Sequence, residues 1–202
     1  MPDPATIRKR KRLPHWEAPR SIYFVTFRLA DSLPASVLQK LRIERRAALD
    51  KATRDAEPLS PAEQKRVRRL ISRRVEDYLD KGSGSCCLAN PALAEVVAGA
   101  LRHFDGVRYK LYAWCVMPNH VHVVFEPHAG FSLAMIAHSW KSFTVHRINA
   151  ASASPGVFWQ REYYDHLIRD GEQLRRAIQY VAENPLRAGL KEWKWVEVSK
   201  LD

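Results

Sequence analysis

Apolar residues recur along this chain with two spacings, and each spacing predicts one kind of secondary structure. Runs of β-branched and aromatic residues, or alternation with polar residues, predict strands, whereas apolar positions at helical spacing predict helices. The predicted strands are residues 21–29, 107–117, 120–126 and 157–169. The predicted helices are residues 35–50, 62–80, 90–104, 131–149 and 171–185.

The order of these elements indicates the fold class. Without the helices at 35–50 and 62–80, the elements follow the order β, α, β, β, α, β, α. This order predicts an α+β fold, a ferredoxin-like antiparallel sheet with helices packed on one face. A Pro-Asn turn joins the second and third strands, which are expected to form an antiparallel hairpin. Pro185 is expected to close the last helix, because the residue before a proline avoids the helical region.

The length of 202 residues fits one domain with additions. Residues 21–190 form the predicted domain, and residues 31–89 are a basic helical segment inserted into it. Residues 1–20, rich in proline and basic side chains, are predicted to be an arm. Residues 191–202 are predicted to be a tail.

The charge of the chain favours a polyanionic partner. Lys and Arg number 33 against 22 Asp and Glu, which gives a net charge of +11 at pH 7. Basic side chains that neutralise phosphates release counterions, so nucleic acid is the favoured class of partner. A basic surface that binds no polyanion is the alternative.

The cysteines indicate a reducing, cytoplasmic location. Cys86, Cys87 and Cys115 match neither a common zinc spacing nor a disulfide framework. The N-terminal residues lack the apolar region of a secretory signal. No apolar run reaches the length of a membrane span, so no membrane partner is expected.

The segment MPNHVHVVFE, residues 117–126, places two histidines within the most apolar stretch of the chain. Side chains at i and i+2 of a strand point to the same face, so His120 and His122 are expected to lie side by side. Two imidazoles at that spacing can bind one metal ion. Taken alone, the pattern is more typical of two structural or solvent-facing histidines.

The last predicted helix carries two polar residues beside its apolar stripe. At 100° per residue, Tyr180 lies about 110° from the centre of the stripe. Asn184 follows one turn later along the same edge. These side chains can form a joint site with the histidine strand, and an aromatic residue at the edge of the core is the alternative for Tyr180. The stripe consists of Leu174, Ala177, Ile178 and Val181.

Attack on a phosphodiester is the chemistry that suits these residues. A tyrosine hydroxyl is a weak nucleophile at neutral pH and needs positioning or activation. A divalent metal held by His120 and His122 polarises the scissile phosphate and stabilises the developing charge. The amide of Asn184 offers a third, oxygen ligand, which leaves positions free for phosphate oxygen and water.

Four motifs give the chain a resemblance to a known family. They are YFVTFRL, AWCVMPNHVHVVFEP, FWQREYYDHLIRD and QYVAENPLRAGL, in that order, covering residues 20–30 and 90–190. With them the sequence resembles the REP-associated tyrosine transposases, a branch of the single-tyrosine HUH transposases. The resemblance implies a ferredoxin-like core and Mg²⁺ or Mn²⁺ as cofactor. It also implies that the partner is single-stranded DNA folded into imperfect hairpins.

The same resemblance implies roles for individual residues. His120 and His122 correspond to the two histidines of the HUH motif, with Val121 as the hydrophobic residue between them. Tyr180 falls on the family's nucleophile. Asn184 falls on the polar ligand four residues later, where more distant relatives have glutamine. Residues 31–89 greatly exceed what compact family members carry at this place, so the resemblance implies no function for them.

Basic residues elsewhere in the chain are candidates for phosphate contacts. Lys141 projects off the apolar stripe of its helix, and a solvated lysine is its alternative. In the insertion, an apolar stripe of Val67, Leu70, Ile71, Val75 and Leu79 can dock and leave arginines outward. The alternative is a helical hairpin of 35–50 and 62–80 that only covers the core or mediates dimers. The candidates are Lys141, the insertion residues Arg66, Arg69 and Arg73, and the arm residues Arg8, Lys9, Arg10, Lys11 and Arg12.

The expected function is that of a transposase-like, metal-dependent single-strand DNA endonuclease and strand transferase, acting as a monomer or dimer on hairpin-forming DNA. Tyr180 attacks the phosphorus, keeps a covalent 5′-phosphotyrosine link and releases a 3′-hydroxyl. No nucleotide cofactor is expected, because this link conserves the energy of the phosphodiester and no phosphate-cradling glycine loop occurs. One alternative is a structured DNA- or RNA-binding module with an idle active site. Another is a metal-dependent phosphodiesterase that uses water as its nucleophile.

Overall fold

The computed structural model describes residues 6–9, 14–17, 21–52, 60–150 and 156–199. The chain divides into two units. The first contains residues 1–30 and 86–202, and the second contains residues 31–85, which nearly coincide with the predicted insertion at 31–89. The strands are β1 (Thr6–Lys9), β2 (Pro14–Glu17), β3 (Ile22–Arg28), β4 (Tyr109–Val116), β5 (His120–Pro127), β6 (Tyr164–Ile168) and β7 (Val196–Val198). The helices are α1 (Ala35–Ala52), α2 (Pro61–Asp80), α3 (Pro91–Arg102), α4 (Leu133–Ala150) and α5 (Gly171–Arg187). None of these helices is both long enough and apolar enough to cross a membrane.

Five of these strands form one antiparallel sheet in the order β6-β3-β5-β4-β7. The central strand β5 pairs with β3 on one side and with β4 on the other. β1 and β2 pair with each other in a separate antiparallel sheet, in the segment that was expected to be an arm. β7 pairs with β4, so part of the segment that was expected to be a tail is an edge strand.

Both faces of the large sheet are apolar. Successive side chains of a strand point to opposite faces, so neighbouring apolar residues contribute to different faces. Val123 packs on one face with residues of α3 and α4, and the neighbouring Val124 packs on the other face with residues of α5. The predicted α+β class and the ferredoxin-like antiparallel sheet are confirmed. One detail differs, since the helices were expected on one face and α5 covers the face opposite α3 and α4. The side chains of β5 are buried on both faces, so both faces need a covering layer.

A β-bulge in β4 decides which of its side chains reach each face. The register of β4 against β5 shifts by one residue before Ala113, which makes Tyr112 an extra residue in the ladder. Tyr112 and Ala113 both lie on the α5 side, and Trp114 lies on the opposite side. Cys115 therefore returns to the α5 side, where it is the cross-strand partner of His122.

Helix α5 continues past Pro185, where it was expected to end. A proline in the last turn removes one backbone hydrogen bond, and the packing of α5 on the sheet compensates for it. The helix ends instead in a Schellman motif, in which the N–H of Leu190 donates to the carbonyl oxygen of Pro185 at 2.8 Å and that of Gly189 to Leu186 at 3.0 Å. Gly189 has a φ of 80°, which glycine adopts without the steric cost that a Cβ brings. The last turn is therefore helical and reaches Arg187.

In the second unit, α1 and α2 pack against each other around a small apolar core. Helix α2 begins with a capping box, in which the side chains of Ser60 and Glu63 each accept a hydrogen bond from the other's backbone N–H. Leu70, expected in the docking stripe of α2, is 47% exposed, because it lies about 180° around the helix from the buried Leu79. The two helices thus pack as a helical hairpin, and whether this hairpin contacts DNA, covers the core or mediates dimers stays a prediction. Its core consists of Leu33, Leu41 and Leu79, with Val37, Leu38, Val75 and Tyr78 packed against them.

Candidate active site

His120 and His122 lie side by side on the face of the sheet that α5 covers. Strand β5 begins at His120, and its alternation sends Val121 and Val123 to the opposite face. Both imidazoles are buried, with 1% exposure for His120 and 0% for His122. Their Nε2 atoms are 3.0 Å apart. The structure thus brings the two rings together, as the alternation along the strand predicts.

Each imidazole is held at its other nitrogen by a neutral polar side chain. Nδ1 of His120 is 2.7 Å from Oδ1 of Asn119, and Nδ1 of His122 is 2.7 Å from Oγ1 of Thr26. Thr26 is the cross-strand partner of His122 on β3. One Nδ1 atom is therefore occupied by the residue that precedes β5 and the other by a residue of β3, and the two Nε2 atoms face each other.

Burial lowers the pKa of both histidines. The pKa of His120 falls from 6.5 to about 3, because removal from water penalises the charged imidazolium. The pKa of His122 lies well below its usual value, first because of burial and second because of repulsion by a charged His120. Both imidazoles are therefore neutral at pH 7, which is the form that binds a metal ion.

This burial predicts that acid destabilises the metal-free protein. An unfolded histidine takes up a proton near pH 6.5, whereas the folded His120 stays neutral down to about pH 3, and His122 shifts in the same direction. The unfolded state therefore binds more protons in this window. The free energy of unfolding should fall as the pH drops below 6.5, by ~1.4 kcal/mol per pH unit for each histidine. Urea unfolding in EDTA, followed by tryptophan fluorescence, measures this slope. The fluorescence reports on the unit that contains the two histidines, because residues 31–85 contain no tryptophan.

Double variants of two histidine pairs, one exposed and one buried, test the origin of this pH dependence. His138 and His146 are exposed on α4, and replacing both with glutamine should leave the slope unchanged. Replacing both His120 and His122 with glutamine should remove most of it. A flat profile in the unmodified protein would contradict the prediction.

Helix α5 places Tyr180 against the histidine pair. Its ring centroid lies 5.3 Å from that of His122 with an interplanar angle of 77°, and 5.7 Å from that of Phe24. Phe24 in turn stacks on His122, with centroids 5.4 Å apart. The guanidinium of Arg187 lies 5.4 Å from the Tyr180 ring centroid. The predicted nucleophile is therefore half-buried, in contact with His122 and next to a positive charge.

Asn184 lies deeper in the protein than the helical pattern indicated. The pattern placed it at the edge of the apolar stripe, but its side chain is 0% exposed and shares the buried face of α5 with Ile178 and Val181. Neither Oδ1 nor Nδ2 has a hydrogen-bond partner in the part of the chain that the structure describes. Leaving a buried amide without a partner costs about 1–3 kcal/mol. Such a group in a native protein points to a bound ligand, ion or water.

The side chains at this place fit a divalent cation. Across the described ranges, no group of three or more His, Cys, Asp or Glu side chains could hold a metal ion. The available donors are the two neutral imidazoles, on the sheet face that α5 covers, and the unsatisfied amide oxygen of Asn184, on the buried face of α5. Two nitrogens and one oxygen leave coordination positions open for a substrate. The metal-binding role of His120, His122 and Asn184 stays a prediction.

The predicted phosphate-binding residues occur in different settings. The Nζ of Lys141 donates to the carbonyl oxygens of Gln160 at 2.7 Å and Arg161 at 2.8 Å. Lys141 thus ties α4 to the chain before β6, and its contact with phosphate stays a prediction. The insertion candidates Arg66, Arg69 and Arg73 are exposed on α2. Of the arm candidates, Arg8 and Lys9 lie in β1, whereas Arg10, Lys11 and Arg12 lie outside the described residues.

Sequence reasoning missed the two side chains that hold the histidines and the arginine next to the tyrosine. Thr26 interrupts the apolar run of β3, and a polar residue within a buried strand was the signal that could have found it. Asn119 directly precedes His120 in the chain, and this adjacency was the signal that could have found it. Arg187 is seven residues after Tyr180, a spacing that places both on the same side of a helix.

The chain is similar in sequence to known proteins. The family model described as Transposase IS200 like matches residues 90–184, which include the histidine pair, Tyr180 and Asn184. A proposed REP-associated tyrosine transposase of Haemophilus influenzae is 27% identical over 101 residues, which are 43% of this chain and 57% of that protein. The chain thus spans little more than half the length of this relative. The resemblance inferred from the motifs is confirmed.

Two solved structures are also similar to this chain. A REP-associated tyrosine transposase bound to a REP hairpin is 16% identical, with a TM-score of 0.48, and the match covers 93% of this chain and 82% of that chain. A proposed transposase from Deinococcus radiodurans is 13% identical, with a TM-score of 0.33, and the match covers 88% of this chain and 95% of that chain.

Proposed function

We propose that this chain, whose residues 90–184 match the IS200-like transposases, is a metal-dependent endonuclease and strand transferase for single-stranded DNA. Tyr180 is the proposed nucleophile, and His120, His122 and Asn184 are the proposed metal ligands. The observation that carries the proposal is the contact between Tyr180 and His122, whose ring centroids lie 5.3 Å apart. A nucleophile on a helix thereby meets a candidate metal ligand on the central strand.

The proposed reaction begins when the hydroxyl oxygen of Tyr180 attacks the phosphorus of a phosphodiester and its proton passes to solvent. A bond between this oxygen and phosphorus forms, and the bond from phosphorus to the 3′ oxygen of the preceding nucleotide breaks. The products are a 5′-phosphotyrosine and a 3′-hydroxyl, which takes up a proton. Attack by a 3′-hydroxyl on the phosphotyrosine reverses the step, so rejoining needs no nucleotide cofactor.

His120 and His122, through Nε2, and Asn184, through its amide oxygen, would hold a Mg²⁺ or Mn²⁺ ion. When bound, the ion polarises the scissile phosphate and stabilises the leaving oxygen. Burial keeps both imidazoles neutral, so they bind without first releasing a proton to solvent. Arg187 adds positive charge next to the Tyr180 ring, where negative charge develops as the hydroxyl loses its proton.

Single-stranded DNA with imperfect, REP-like hairpins is the proposed substrate. The resemblance of the motifs and the name of the Haemophilus influenzae relative support this choice. The net charge of +11 supports it independently, because contacts between basic side chains and phosphates release counterions from DNA.

Denaturing gels test the proposal with hairpin oligonucleotides from the DNA that flanks the gene. With Mn²⁺, a 3′-end label is expected in a protein-sized band that survives SDS and heat, because the 3′ part of the strand carries the phosphotyrosine. A 5′-end label is expected in a shorter, free strand that ends in a 3′-hydroxyl. Cleavage without the protein-sized band would support water as the nucleophile. Binding without cleavage would support a binding module with an idle site.

The three arginines of α2 are expected to contact DNA phosphates. Replacing Arg66, Arg69 and Arg73 with glutamine keeps helix propensity and, since these side chains are exposed, should leave Tm unchanged. Hairpin affinity should fall, and the negative slope of log affinity against log salt should become shallower by about 2–3, since each phosphate contact contributes roughly 0.9 to its magnitude on duplex stems. Fluorescence anisotropy over a range of salt concentrations measures both quantities.

A matched triple variant on α1 controls for the loss of charge. Lys40, Arg42 and Arg45 are exposed in the same unit, and their replacement with glutamine removes the same number of positive charges. This variant should lose much less affinity than the α2 variant. Equal losses would show that net charge, and no particular contact by α2, governs binding.

Deletion of RKRKR, residues 8–12, is also expected to flatten the salt dependence of hairpin binding. Its positive charges can neutralise several phosphates, each of which contributes roughly 0.9 to the slope on duplex stems. Anisotropy with the same hairpin measures the effect. A variant that exchanges arginine and lysine at these positions keeps the charge and should keep the slope. An unchanged slope after deletion would remove this segment from the DNA-binding surface.

A further inference from the structure

Four buried polar side chains form a single file that runs from β3 to β5 and on to the residue that precedes β5. Oγ1 of Thr26 is 2.7 Å from Nδ1 of His122, the two histidine Nε2 atoms are 3.0 Å apart, and Nδ1 of His120 is 2.7 Å from Oδ1 of Asn119. All four side chains are buried. Each distance is that of a hydrogen bond, so each contact contains one hydrogen and the donors and acceptors must follow one order along the file.

The Asn119 carbonyl oxygen sets this order, because it can only accept a hydrogen bond. His120 therefore carries its hydrogen on Nδ1, and its neutral ring has a lone pair on Nε2. His122 must donate from its own Nε2, since two lone pairs or two N–H groups 3.0 Å apart would repel each other. Nδ1 of His122 then has no hydrogen, and it accepts the hydroxyl hydrogen of Thr26.

We propose that Thr26 is a positioning residue whose hydroxyl allows His122 to exchange tautomers when a divalent cation binds. The proposal rests on the metal site of the proposed function. To present a lone pair on Nε2, His122 moves its hydrogen from Nε2 to Nδ1. Thr26 turns its own hydrogen away and accepts the hydrogen bond from Nδ1–H. The ring stays neutral, and the protein neither gains nor loses a proton.

A hydroxyl suits this position because it rotates and can both donate and accept. Asn119 needs no such freedom, since His120 presents a lone pair on Nε2 in both states. The two histidines therefore differ. His120 has a lone pair on Nε2 before a cation binds, whereas His122 presents one there only after the tautomer exchange that Thr26 allows. Hydrogen-bond partners behind a ligating histidine typically account for 10–100-fold in metal affinity.

Two variants of Thr26 separate the role of its hydroxyl from that of its shape. Thr26→Val keeps the shape and removes the hydroxyl, whereas Thr26→Ser keeps the hydroxyl and removes a methyl group. In Mn²⁺ titration calorimetry of the full chain, the valine variant is expected to bind about 10–100-fold more weakly and the serine variant within about threefold of the unmodified protein. Unchanged affinity in the valine variant, or equal losses in both variants, would overturn the proposal.

Imidazole ¹⁵N NMR of the unmodified protein gives a second readout, which does not depend on whether Thr26→Val folds. In EDTA, the hydrogen is expected on Nε2 of His122 and on Nδ1 of His120. Saturation with Mg²⁺ should move the His122 hydrogen to Nδ1. A His122 that carries its hydrogen on Nδ1 before metal is added would overturn the proposal, even if the DNA adduct forms. Absence of the adduct together with the expected exchange would reject Tyr180 as nucleophile and support the role of Thr26.

Discussion

Tyr180→Phe is expected to abolish the covalent protein–DNA adduct while the fold and hairpin binding persist. The variant lacks only the oxygen atom that forms the proposed bond to phosphorus, and the phenylalanine side chain contains no nucleophilic atom. Its ring keeps the contacts with His122 and Phe24, so the free energy of unfolding should change by about 1 kcal/mol or less. The assay with a 3′-end label measures the loss. Mass spectrometry of the adduct from the unmodified protein should locate the nucleotide on Tyr180.

Tyr112→Phe is the matched control for this variant. Tyr112 lies on the same face of the sheet, but its hydroxyl donates to Glu126 at 2.8 Å. Its replacement should leave the adduct at its normal yield. A normal yield from Tyr180→Phe would instead refute the assignment of the nucleophile.

His120→Ala and His122→Ala are each expected to reduce cleavage by more than about 100-fold, since loss of a ligand should exceed the 10–100-fold typical of losing a hydrogen-bond partner behind one. Each change also leaves the Nε2 of the remaining imidazole without its partner, which weakens the buried file of polar groups. Mn²⁺ calorimetry and the gel assay measure the two losses separately. Unchanged Mn²⁺ binding in both variants would refute the metal site.

Asn184→Ala should show a milder loss of Mn²⁺ affinity, because both imidazoles remain. Its effect on the metal-free protein should differ in kind from that of the histidine variants. The amide has no hydrogen-bond partner among residues that the structure describes, so its removal breaks no hydrogen bond there and relieves an unsatisfied buried group. Urea unfolding in EDTA compares the three variants. A loss of metal-free stability in Asn184→Ala as large as that in His122→Ala would indicate a structural role for the amide.

Local periodicity was sufficient to predict the histidine pair and the order of the helices and strands from β3 to α5. His120 and His122 share a face because a strand has a period of two residues, and this holds in any sheet. Periodicity does not say which layer covers that face, and the placement of α5 opposite α3 and α4 was therefore missed. The strand Val196–Val198 has three residues, which is too short for any alternation to be detected.

The depth of Asn184 depends on packing that no local pattern contains, and the continuation of α5 past Pro185 depends on such packing together with a local motif. An angle measured from the apolar stripe placed Asn184 at an edge, whereas the contact between α5 and the sheet is wide enough to bury it. The restriction on the residue before Pro185 is real, but a Schellman motif one turn later and burial of the proline keep the turn helical. The contact between Thr26 and His122 could not be predicted from the sequence, because it depends on the pairing and register of β3 with β5.

The bulge at Tyr112 also determines where this hairpin can change in length. Inserting or deleting one residue in a strand exchanges the two faces for every residue beyond that point. The bulge already contains one residue more than the regular ladder, so deleting Tyr112 should restore simple alternation and keep Cys115 opposite His122. Deleting Val121 would make the two histidines neighbours in the chain and send their rings to opposite faces. Among homologous chains, differences of one residue in this hairpin are therefore expected at the bulge and not between the histidines.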